Sequence, residues 1–69
     1  MPNLIESSSY WNSKGILLDR MGKHKDALEC FEKAKSIDPQ DIDVITNIGI
    51  SFDKLGKPEE ALKFYDIAL

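Results

Sequence analysis

The sequence predicts an all-α protein of about four helices, paired as two antiparallel helix-turn-helix units. Three observations predict it. Residues recur in kind and in order at one interval: Gly15 and Gly49, Gly22 and Gly56, Ala27 and Ala61, Leu28 and Leu62, Phe31 and Tyr65, and Ala34 and Ala68 are each 34 residues apart. Apolar residues within each copy fall three or four positions apart, the spacing of one buried helical stripe. Glycine and proline stand between the stripes, where helices stop and start. A unit of this period cannot bury its apolar side alone and stacks on its neighbour.

Residues 1–7 form an irregular lead, with Pro2 and Asn3 outside any periodic pattern, and the hydroxyl of Ser7 or Ser8 is suited to cap the first helix. That helix starts near Ser8. Its buried stripe is Trp11, Gly15, Leu18 and Met21 or Gly22, and Gly22 ends it, because glycine accepts the left-handed conformation that follows a last helical turn. The second helix covers about 24–36, with Ala27, Leu28, Phe31, Ala34 and Lys35 on one side. Glu29 and Lys33 lie one turn apart on the other, a pair worth about 0.3 kcal/mol. Pro39 stops it, since proline disfavours the helical conformation of Asp38 before it, and Asp41 becomes the next cap.

The third helix, about 42–55, repeats the first stripe as Ile45, Ile48, Gly49, Phe52 and Leu55. Gly56 closes it. Pro58 opens the fourth helix in its first turn, where a missing N–H is harmless, and Ala61, Leu62, Tyr65, Ala68 and Leu69 form its apolar side.

These residues resemble the tetratricopeptide repeat, whose pattern is Trp-x2-Leu-Gly-x2-Tyr, then Ala-x3-Phe, then Pro. Residues 8–41 supply Trp11, Gly15, Ala27, Phe31, Ala34 and Pro39 at the family positions, with Leu18 for the tyrosine. Residues 42–69 supply Ile48, Gly49, Phe52, Ala61, Tyr65 and Ala68, with Ile45 for the tryptophan, and stop before a closing turn. The resemblance implies a short right-handed α-solenoid. Two departures stand out. Lys14 occupies a position usually held by leucine, which predicts an uncovered face on the first helix. The second copy is truncated, which leaves Leu62, Tyr65 and Leu69 without a neighbour and predicts either a piece of a longer array or a homo-oligomer closed over this face.

Composition narrows function further. A 69-residue chain buries roughly 60% of its unfolded surface, too little to enclose a deep active site. The net charge is −3 with both signs mixed, and no Lys/Arg cluster offers a duplex nucleic acid a phosphate-neutralising patch. Cys30 is the single cysteine, so no internal disulfide can form, and a reducing, cytoplasmic setting fits. No apolar run reaches the roughly 20 residues of a membrane span, and residues 1–13 hold no apolar stretch typical of a secretion signal.

Catalysis has little to stand on. His24 is the single histidine and reads as a partly exposed helix-start residue, while Cys30 in mid-helix reads as a packing or surface residue. Asp41/Asp43 and Glu59/Glu60 sit at helix starts, where the macrodipole favours acids, so they are not read as metal or acid–base pairs. The glycines are helix punctuation rather than a phosphate loop. No cofactor or metal is expected.

The function implied by the resemblance is non-catalytic capture of a protein or peptide in the concave groove lined by the first helix of each repeat. The family positions are Ser9, Asn12, Ile16, Asp19 and Arg20 in the first copy and Asp43, Thr46, Asn47, Ile50, Asp53 and Lys54 in the second. Helical spacing independently puts Asn12, Ile16, Asp19 and Arg20 on one stripe, as it does Thr46, Ile50, Asp53 and Lys54. Ile16 and Ile50 would supply apolar contact, and Asn12 and Asn47 hydrogen bonds. The alternative use is a self-assembly element that associates through Leu62, Tyr65 and Leu69.

Overall fold

The computed structural model describes residues 7–69, which form four helices: α1 (Ser8–Arg20), α2 (His24–Ile37), α3 (Ile42–Lys54) and α4 (Pro58–Ala68). Each start has a local cause. The Ser7 hydroxyl accepts the N–H of Tyr10 at 3.2 Å, and Asp41 Oδ1 accepts those of Asp43 and Val44 at 3.0 and 3.4 Å, so two helices begin with free amides satisfied. Pro58 is the first residue of α4.

The turns inside the two hairpins are built alike. Gly22 and Gly56 have φ of 80° and 77°, the left-handed region that side-chain-bearing residues rarely enter. The Lys23 N–H reaches back to the Leu18 carbonyl at 2.9 Å and Gly22 N–H to Asp19 at 3.0 Å; Lys57 to Phe52 and Gly56 to Asp53 repeat both distances. This pair of bonds satisfies the last carbonyls of α1 and α3 and turns the chain back on itself.

Within each hairpin a glycine faces an aromatic ring. A Cβ built on Gly15 would stand 2.5 Å from the Phe31 ring, and one on Gly49 would stand 2.6 Å from the ring of Tyr65. The helices therefore approach through a notch that any larger residue would fill. Between the hairpins, α2 packs on α3, and the buried cluster is Ala27, Phe31, Ala34, Val44 and Ile48.

Several expectations need correction. Met21 is 65% exposed and is not part of the buried stripe. It lies on the side of α1 turned away from the second hairpin, whereas its repeat partner Leu55 is half-covered by the first. Tyr65 is not left without a neighbour, since its ring fills the Gly49 notch; Leu62 and Leu69 are exposed as expected. The face of α1 around Lys14 is uncovered as expected, with Tyr10 38% and Leu17 57% exposed beside it, while the Trp11 ring next to it is covered by the ammonium of Lys14 at 5.2 Å and of Lys33 at 4.4 Å from the ring centre. Val44, Ser51 and Phe64 were absent from the expected core. Val44 and Ser51 are fully buried between the hairpins, and Phe64 stacks on Phe52 at 5.5 Å.

Candidate functional site

The helices α1 and α3 meet along one side of the molecule, and two side-chain bonds span the repeat boundary there. Asn47 Nδ2 donates to Asn12 Oδ1 at 2.9 Å. Lys54 Nζ donates to Asp19 Oδ2 at 3.5 Å. Both join residues 35 apart in sequence, and the two rungs are separated by two helical turns on either helix, so α1 and α3 run in fixed register. The register sets Ile16 opposite Ser51 at the middle rung. Ser51 is fully buried and its hydroxyl has no hydrogen-bond partner, which fits a small residue chosen for close approach rather than for its polarity.

The predicted groove residues divide by exposure. Ser9, Arg20, Asp43, Asp53 and Lys54 are exposed; Asn12, Ile16, Asp19, Thr46, Asn47 and Ile50 are half-buried. Ile16 packs against the core cluster, so part of its side chain serves stability and only the remainder faces outward. Asn12 and Asn47 spend one bond on each other. The Asn12 amide and the Asn47 carbonyl remain, a donor beside an acceptor, which matches what one peptide group offers.

Asp19 has a further partner that sequence reasoning missed. His24 Nδ1 lies 2.5 Å from Asp19 Oδ1, and the Asp19 side chain is only 10% exposed. The glycine turn brings positions five apart together, so an acid before Gly22 and a histidine after it carried the signal. The second hairpin has Pro58 at the matching position, and Asp53 accordingly stays exposed. Asp19 is thus a tether between α1, α2 and α3 rather than a free acid for a ligand.

The remaining chemistry is sparse. Cys30 is a free, buried thiol; burial pushes its pKa above the usual 9.0, with Lys14 and Lys33 pulling weakly the other way. That is the opposite of an activated nucleophile. Among the described residues no three His, Cys, Asp or Glu side chains gather as a metal site, and no helix is long and apolar enough to cross a membrane. Clefts of 310 and 350 Å³ open elsewhere, one between Lys35, Phe52 and Phe64 and one beside Trp11, Cys30 and Lys33.

Comparison with known proteins agrees with this geometry. The family model described as "Tetratricopeptide repeat" matches residues 8–41. Two proteins of Methanocaldococcus jannaschii, TPR repeat-containing proteins MJ1428 and MJ0798, are 38% and 31% identical to this chain over 63 residues. That segment is 91% of this chain but only 11% and 19% of those relatives, so the chain spans a small part of their length. The crystal structure of MamA protein superposes with a TM-score of 0.86 at 34% identity, covering 90% of this chain and 34% of that one.

Proposed function

The chain belongs to the tetratricopeptide-repeat family, whose repeats generally mediate protein–protein interaction, and from that premise we propose that its α1/α3 face binds an extended peptide without catalysis. The observation that carries the reading is the Asn12–Asn47 rung. It leaves a donor and an acceptor side by side on a face whose flanks are the half-buried Ile16 and Ile50. A peptide backbone would bond to the two amides. Apolar side chains at alternate positions would rest on the isoleucines, and the exposed Arg20, Asp43, Asp53 and Lys54 would set register through charge. Ser9 and Thr46 complete the contact set with hydroxyls.

Catalysis is not needed for this role, and among the described residues no nucleophile–base pair is assembled, since the one histidine is engaged by Asp19 and the one thiol is buried with its pKa raised. A free buried thiol favours a cytoplasmic site of action. Nucleic acid and membrane are disfavoured as partners by the mixed, net acidic surface.

Selection of displayed random peptides against the chain tests the reading. Peptides that bind the native chain at least tenfold more tightly than an Ile16→Glu/Ile50→Glu variant of equal helicity support it. Peptides that bind both alike contradict it.

A further inference from the structure

The end of the molecule that holds the two glycine turns carries a pair of adjoining clefts, of 420 and 310 Å³, which share Lys25 and Leu55 as lining residues. Each takes walls from both hairpins, so it belongs to the internal boundary and not to an outer face. Its floor is apolar. Leu28, Phe52 and Leu55 are half-buried there, and Lys23, Lys25 and Lys57 stand exposed around them.

The charge at this place runs against that of the chain. The net charge of the whole sequence is −3, yet the clefts are lined by three lysines and by Asp26 as the one acid; His24, beside them, is already engaged by Asp19. None of the three lysines has an ion-pair partner among the described residues, although Glu29 stands one helical turn beyond Lys25. Lys25 also opposes its own helix. It lies in the first turn of α2, where the macrodipole disfavours a cation, whereas the residue one repeat later is Glu59, the acid that such a position favours. A cation held against its local preference beside an apolar floor is the mark of a residue kept for a contact outside the chain.

We propose that this cleft is a second interaction surface whose occupant is an acidic segment of a partner protein, with one apolar side chain seated on Leu28, Phe52 and Leu55 and flanking carboxylates on Lys23, Lys25 and Lys57. Three cations on a chain of net charge −3 fall short of the basic cluster that a nucleic acid or an anionic membrane requires, and Asp26 would repel either. A short segment with an apolar anchor matches floor and rim together. None of these six residues belongs to the α1/α3 groove, so the two surfaces bind independently.

Lys25→Glu/Lys57→Glu is the variant that tests this, since both positions are exposed and circular dichroism verifies that it folds. Should it lose helicity, Lys25→Gln/Lys57→Gln takes its place in every step. Displayed random peptides are first depleted on the variant and then selected on the native chain, which keeps those that depend on the two lysines. The recovered peptides should be net acidic around a leucine, phenylalanine or tryptophan. In fluorescence anisotropy their binding should weaken at least about tenfold in the variant and with the apolar anchor changed to serine, fall as salt is raised, and stay unchanged in Ile16→Glu/Ile50→Glu. Recovery of no peptide overturns the proposal, as does recovery of peptides without excess acid, without need of the anchor, or with binding that the isoleucine variant abolishes. A single-stranded oligothymidine or phosphatidylserine vesicles that bind the native chain more tightly than these peptides, through the same lysines, would assign the cleft to a polyanion and also overturn it.

Discussion

Phe31 lies against Gly15 so closely that a single added methyl would stand 2.5 Å from its ring, inside van der Waals contact. The recurrence of this glycine–aromatic notch at Gly49 and Tyr65 makes each hairpin a unit and sets how near its two helices can come.

Replacing Gly15 with alanine should destabilise the protein. In an exposed helix the change would gain about 1 kcal/mol of helix propensity. Here Phe31 is 1% exposed and has no room to retreat, so overpacking of about 1–3 kcal/mol wins. Gly49→Ala should cost less, because Tyr65 is half-buried and can swing outward. Urea denaturation of the two variants checks the order; a larger loss at Gly49 would contradict it. Ala27→Leu, which adds three carbons at a fully buried site, should lower the melting temperature more than either.

Ser51→Ala should be neutral or stabilising by up to about 1 kcal/mol, since it removes a buried hydroxyl that has no partner. A loss above about 1 kcal/mol would mean that the hydroxyl is bonded after all. Chemical denaturation gives the answer directly.

His24→Ala should cost about 1–2 kcal/mol, because the nearly buried Asp19 carboxylate then keeps only its long contact to Lys54. Lys54→Ala, at a half-exposed ammonium 3.5 Å away, should cost well under about 1 kcal/mol. In a double-mutant cycle, His24 and Asp19 should couple and Lys54 and Asp19 should scarcely do so.

Cys30 should make stability fall in alkali. Its folded pKa lies above the ordinary thiol value of 9.0, so its contribution is complete below that value and is lost as pH rises through the folded one. Between pH 8 and 10 the native chain should lose more stability than Cys30→Ala does. Alkylation by iodoacetamide at pH 8 should likewise be at least about tenfold slower in the folded chain than in urea.

Much of the fold could be read from residues whose effect is local. Ser7, Asp41, Gly22, Gly56, Pro39 and Pro58 act on their own turn of chain, and each marks a boundary that the structure keeps. Periodicity identified the stripe inside each hairpin for the same reason. It did not identify Val44 and Ser51, whose burial depends on how one hairpin docks on the other, nor Phe64, which needs Phe52 beneath it. Met21 failed in the opposite direction, being apolar and in phase but on the side that no hairpin covers.

The candidate site was legible as a set of positions and not as a set of bonds. Asn12 and Ile16 could be placed on one side by spacing alone, whereas Asn47 came only from the family resemblance. That Asn12 would bond Asn47, or that Asp19 would be taken up by His24, depends on a 35-residue register and on the geometry of a glycine turn. The consequence is chemical: Asp19 is tied to His24 and Lys54, and each of the two amides spends one of its four hydrogen-bonding positions on the other.

The most direct test of the central claim is the backbone amide spectrum of isotope-labelled chain titrated with a peptide obtained by display selection. Shifts concentrated on Asn12, Ile16, Thr46, Asn47 and Ile50, and abolished by Ile16→Glu/Ile50→Glu, are the result expected for a peptide-binding α1/α3 face. Shifts concentrated on α2 and α4, around Lys35 and Phe64, with the isoleucine variant binding unchanged, would contradict it.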